Sequence, residues 1–225
     1  MCGIAGLQHP GQGAHCMHEN RRHGAGRSGA ILATALLALQ ITVAGSHLAG
    51  RVGRALADEE VPPSRQVVII MRALAYDANL KTRAGGTINL GILYRKDNVR
   101  SEQMASVMSK AFGALASTPV TGLSIAVARL SYGGAEALRK SVGAMGIDVI
   151  YVCAGLDADV GAITEVTRRT KVLTVGSRQE QVREGLSFGV FQVDGRTTIL
   201  LNLPASRQEG AAFAADFLRL ATVIR

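Results

Sequence analysis

Residues able to hold or act on another molecule are sparse, and most of them follow short apolar runs. Tyr94 and Arg95 come at the end of the run 88–94, Ser131 and Tyr132 follow 123–130, Gly155 follows 148–153, and Gly176 with Ser177 follows 172–175. Hydroxyls, phenols and a guanidinium at the carboxyl ends of successive strands are groups with which an open α/β sheet can hold a ligand. Tyr94, Ser131, Tyr132 and Ser177 are therefore the candidate ligand contacts. Ser177 has two readings: its hydroxyl and nearby N–H groups face an anion, or it caps the short helix that follows. Asp157 and Asp159 offer a carboxylate pair for metal or acid–base chemistry, and equally a favourable charge at the start of a helix. Tyr76, Asp77 and Asn79 form a polar cluster on the first helix, either a partner-binding patch or a solvated face. Cys153 lies between Val152 and Ala154 in an apolar run, where burial raises a thiol's pKa and leaves it a small hydrophobe.

The chemistry that is missing narrows the choice further. All five histidines (His9, His15, His18, His23 and His47) and two of the three cysteines, Cys2 and Cys16, fall before residue 58. That stretch reads as a leader. Arg21, Arg22 and Arg27 precede an apolar run from Ala30 to Ala44, and the small-residue triplet Ala55, Leu56, Ala57 precedes Asp58. Basic flank, apolar run and small-residue site in that order predict a signal peptide cleaved after Ala57. The alternative is an uncleaved anchor, since residues 30–50 approach the roughly 20 needed to span a bilayer, although Gln40, Ser46 and His47 interrupt them. The opening Met1, Cys2, Gly3, Ile4, Ala5, Gly6 is similar to the amino terminus of class II glutamine amidotransferases, whose freed cysteine is the nucleophile. Export would remove it.

Residues 58–225 then form a single expected domain, without histidine and with one cysteine. No Ser-His-Asp or Cys-His pair, intrachain disulfide or cysteine-based zinc site can be assembled from it. No P-loop is present, and Gly133-Gly134 lacks the G-x-G-x-x-G spacing that seats a pyrophosphate. The sequence thus predicts no catalytic residue, no metal and no cofactor. Without the leader, 20 basic and 16 acidic residues remain, a net charge of +4 rather than +8. The basic residues are dispersed, and the short cluster Arg168, Arg169, Lys171 fits a helix end better than a phosphate track, so no nucleic-acid partner is expected.

The elements that position these residues alternate. A helix is predicted over 63–83, followed by four strand–helix units whose strands are 88–94, 123–130, 148–153 and 172–175. Continuous apolar strands alternating with helices imply right-handed crossovers and a mostly parallel, doubly wound sheet. Residues 188–193 and 196–203 flank Asp194-Gly195, a type I′ hairpin signal that adds an antiparallel edge. Pro204 starts a closing amphipathic helix carrying Phe213, Phe217, Leu218, Leu220 and Ala221.

This order is similar to that of the YfiR/HmsC family across nearly all of residues 63–225. The words that carry the likeness are Ala73 to Leu80 in the first helix, Val172 to Val175 in the fourth strand, Val193 to Arg196 with Leu201, Asn202 and Leu203, and the closing Phe217 to Ala221. None of them is catalytic, and their order and spacing make the match. The aromatic-rich end of the family's first helix is replaced by Leu80 to Gly85, and the cysteine pairs of some members are absent. The resemblance implies an exported, periplasmic, non-enzymatic regulator. Its partner would be an inner-membrane sensor protein with a periplasmic domain, a diguanylate cyclase whose product promotes biofilm. A homodimer stays open, and the alternative function is a small solute-binding protein.

Overall fold

The computed structural model describes residues 60–225. The predicted leader and its expected cleavage site after Ala57 lie outside the described residues. Helix α1 (Pro63–Ala75) begins with proline in its first turn and has Arg72 in its last, where a cation opposes the negative helix end. The predicted helix over 63–83 does not run through. The N–H groups of Tyr76 and Asp77 tighten onto the carbonyls of Ala73 and Leu74, and the Asp77 carboxylate accepts the N–H of Asn79 at 3.0 Å, a turn of the kind aspartate favours. A second short helix, α2 (Leu80–Ala84), follows.

Four parallel strands come next: β1 (Thr87–Tyr94), β2 (Ser124–Ser131), β3 (Val149–Val152) and β4 (Leu173–Gly176). They are linked by α3 (Val99–Gly113), α4 (Ala135–Met145) and α5 (Val160–Thr170), the last entered through a 3-10 turn at Asp157–Asp159. The Asn98 side chain caps α3 by accepting the Ser101 N–H at 3.0 Å. Helix α6 (Gln179–Arg183) then leads to the hairpin β5 (Phe188–Val193) and β6 (Arg196–Asn202). Its turn residues Asp194 and Gly195 have φ of 49° and 73°, the positive values a type I′ turn requires.

The expected closing helix from Pro204 is two helices, α7 (Leu203–Gln208) and α8 (Ala215–Leu220), and the chain then adds β7 (Thr222–Ile224) parallel to β6. Gly210, with φ of 87°, opens the connection between the two helices, and Asp77 takes up the amide of Ala212 within it. The seven-stranded sheet has the order β2-β1-β3-β4-β5-β6-β7, parallel except for β5 with β6. The fold is therefore the α/β sheet with an antiparallel pair that the strand–helix rhythm predicts.

Period-two alternation assigns the two faces. Val149 and Tyr151 of β3 pack with α1, α2, α3 and Phe217, whereas Ile150 and Val152 pack with α4 and α5. Cys153 is buried on the first face, and burial pushes its thiol up to about 12. It is core.

Candidate functional site

The loops at the carboxyl ends of the strands are largely paired with one another. Tyr94 and Ser131 are neighbours in register, and the N–H of Tyr132 donates to the Tyr94 carbonyl at 2.8 Å. The Arg129 guanidinium lies 4.8 Å from the centre of the Tyr94 ring, and that of Arg95 lies 5.9 Å from the Tyr132 ring. Arg95 also donates to the Gly155 carbonyl at 2.8 Å and pairs with Asp159. Burial raises the Tyr132 phenol, with the Asp159 charge acting the same way and Arg95 opposing. Asp157 accepts the Gly155 N–H at 3.3 Å and has Arg178 beside it at 3.4 Å. The two aspartates are therefore partners of arginines on neighbouring loops. Among the described residues no group of three or more His, Cys, Asp or Glu could hold a metal ion.

Ser177 lies apart from Tyr94, Ser131 and Tyr132, on the wall of a groove of about 620 Å³. Its backbone N–H and its hydroxyl approach Gln181 Oε1 at 2.9 and 3.3 Å, and Arg178 occupies the N-cap position. The hydroxyl thus serves the side chain of α6 and does not cap its amides. The floor of this groove holds a buried polar pair absent from the sequence reading. Tyr151 donates its phenol to Gln66 Oε1 at 3.3 Å, and Gln66 Nε2 donates to the Val190 carbonyl at 3.0 Å. Burial pushes the Tyr151 phenol far above its ordinary value, so it stays a donor. Met104, Met108 and Val190 line the walls. The signal for Gln66 was its place four residues before Ile70 on the apolar stripe of α1.

A second groove, of about 460 Å³, runs between α1, β6 and α8. It is lined by Ile69, Ala73, Tyr76, Ile199, Phe217 and Leu220, with Arg72 at its edge. Tyr76 stacks on Phe217 at 5.6 Å and Phe217 on Phe213 at 4.7 Å, while Leu220 remains 63% exposed. Tyr76 is thus at a surface. Asp77 is not: its side chain has no exposure, and it holds the Ala212 N–H at 2.8 Å with Arg83 Nη1 2.8 Å from Oδ2. The amide of Ala78 donates to the Ala212 carbonyl, and that of Ala214 to the Tyr76 carbonyl. The Tyr76–Asn79 word therefore clasps residues 210–214.

A family model described as YfiR/HmsC-like matches residues 66–222, from the fourth residue of α1 to the first residue of β7. The chain belongs to this family. Its members are periplasmic regulatory domains without catalytic activity, and two of the sequence words that suggested the likeness, 73–80 and 217–221, meet at the apolar groove. A search of the curated proteins returns no match. Among solved structures, the chain is similar to an ABC domain in complex with L-Trp from Streptococcus pneumonia, at 13% identity and a TM-score of 0.53, over 72% of this chain and 60% of that one. It is also similar to a conserved domain protein from Vibrio cholerae, at 12% identity and a TM-score of 0.51, over 73% of this chain and 60% of that one. The chain thus spans about 60% of the length of either protein, and at these identities the likeness is one of fold. Among the described residues no helix is long and apolar enough to cross a membrane.

Proposed function

We propose that this chain is an exported regulator that restrains an inner-membrane diguanylate cyclase by binding the cyclase's periplasmic part, lowering cyclic-di-GMP and biofilm. The observation that carries the reading is the open groove between α1, β6 and α8, whose apolar lining has no covering segment among residues 60–225. An exposed apolar patch with a charged edge is a common mark of a protein interface. The groove is formed partly by residues from the family's own words, Tyr76, Phe217 and Leu220. Deleting the gene in its host should raise cyclic-di-GMP and biofilm mass together. Unchanged levels of both would overturn the reading. Leu220→Glu, placing a charge in the groove while leaving the core alone, should abolish capture of the cyclase from detergent-solubilised membranes.

A second reading, a small solute-binding protein, is favoured by the carboxyl-edge groove with its Tyr151–Gln66 floor. A panel of amino acids including L-Trp, screened by thermal shift, tests it. A ligand at 100 times its Kd adds about 2.7 kcal/mol of stability, and a flat panel removes this reading.

A further inference from the structure

Glu209, at the end of α7, is fully buried. Its carboxylate accepts the Thr167 hydroxyl from α5 at 2.7 Å, the Thr174 hydroxyl from β4 at 2.9 and 3.0 Å, the Thr174 N–H at 2.8 Å, and the Ser187 hydroxyl just before β5. These facing groups are all neutral. Of the cations nearby, Lys171 donates to the Gln208 carbonyl and Arg83 to the Gly210 carbonyl beside Asp77, while Arg168 has its Nη2 near Gly185 and its buried Nε without a hydrogen-bond partner. Among the described residues no Lys or Arg lies within ion-pair distance of Glu209. Burial without a counter-charge favours the neutral carboxyl, and the hydroxyl and N–H donors oppose it by stabilising the anion.

Glu209 is also the residue from which the last stretch of chain leaves the α5 face of the sheet. From Gly210 onward this strap crosses to the α1 face, where Ala212 is held by Asp77 and Phe213 and Phe217 join the core. It supplies Phe217 and Leu220 to the apolar groove. We propose that protonation of Glu209 fastens residues 210–225 to the domain, so that the strap, and with it the groove wall, tightens on acidification. The consequence for partner binding rests on the function proposed above; the strap itself does not.

The direction follows from the carboxyl's surroundings. Burial pushes Glu209 up to about 7 from an ordinary 4.5, with the Ser187, Thr167 and Thr174 donors pulling back. A released strap returns the carboxyl to water and to its ordinary range. The closed state therefore binds the proton more tightly, and closure is strongest below pH 4.5. It weakens roughly tenfold per pH unit up to about 7 and is flat above.

Hydrogen exchange on the purified protein reads this directly. After correction for intrinsic base catalysis, protection of the Ala212, Ala214 and Ala78 amides should fall ~40-fold between pH 5 and 7 and then level off. Glu209→Gln should remove the pH dependence. Ser187→Ala, which deletes one donor to the carboxylate, should move the levelling point to higher pH. The Cys153 amide, bonded to Leu93 inside the sheet, should keep its protection throughout. An identical pH profile in wild type and Glu209→Gln overturns the proposal, as does a Cys153 profile that falls in step with the strap. Should Glu209→Gln fail to fold, a carbon-13 titration of Glu209 in the wild type decides, and a midpoint below pH 5.5 refutes. None of these readouts requires a partner, so failure of the regulatory reading would leave them standing.

Discussion

Asp77→Ala tests the account of the clasp most directly. The carboxylate is wholly enclosed; Oδ1 accepts the amides of Asn79 and Ala212, and Oδ2 lies 2.8 Å from Arg83 Nη1. That contact is a charge pair without hydrogen-bond alignment, since Nη1 donates to the Gly210 carbonyl at 3.1 Å and Arg83 Nε and Nη2 have no hydrogen-bond partner. Removing the carboxylate leaves a guanidinium whose side chain is only 13% exposed without its counter-charge, together with two unpaired amides. Breaking a buried pair from one side costs about 3–5 kcal/mol. Arg83→Met should be milder, because the aspartate keeps its two amide donors. The double variant Asp77→Ala/Arg83→Met, which removes both charges, should lose less than the two single losses added together. Urea unfolding of the four proteins, read as a double-mutant cycle, supplies the numbers. A loss below about 1 kcal/mol for Asp77→Ala, or energies that simply add, would refute the claim that this pair ties the two ends of the domain together.

Gly189→Ala should destabilise by about 1–3 kcal/mol in the same assay, because its Cβ would stand 2.7 Å from the Gly176 carbonyl across the β4–β5 pairing. Tyr151→Phe removes the donor to Gln66 and should cost about 1–3 kcal/mol of stability while leaving the fold intact by circular dichroism. Cys153, fully buried with its thiol pushed up to about 12, should resist a thiol reagent at pH 8 until denaturant is added, and fast labelling of the native protein would contradict its place in the core.

The sheet was legible because its strands are buried on both faces and so read as continuous apolar runs such as Val149–Val152, each followed by a helix period. The hairpin was legible because Asp194-Gly195 can adopt positive φ where few other pairs can. What the sequence concealed depends on contacts between distant residues. Nothing local stops α1 at Ala75; the apolar period continues to Leu80, and it is Asp77 meeting Ala212 and Arg83 that turns the chain. The helix expected from Pro204 breaks for the same reason, at residues that face the clasp. Ser177 and the Asp157–Asp159 pair carry the residue types of a site, but side chains from other loops satisfy them. Glu209 gave no sign of burial, since its donors Thr167, Thr174 and Ser187 come from three other segments.

The clasp also orders the folding of the chain. The β1–β2 pairing joins residues 37 apart, as at Thr87 and Ser124, whereas Asp77 and Ala212 are separated by 135. Closing the longer loop first costs about 1 kcal/mol more in chain entropy, and it brings little contact until the intervening strands are in place. Parallel pairing around β1 and β3 should therefore precede docking of the strap. In refolding kinetics, substitutions at Asp77 and Phe217 should then accelerate unfolding while leaving the folding rate nearly unchanged. The lifetime of the native state, more than its speed of formation, is what this contact controls.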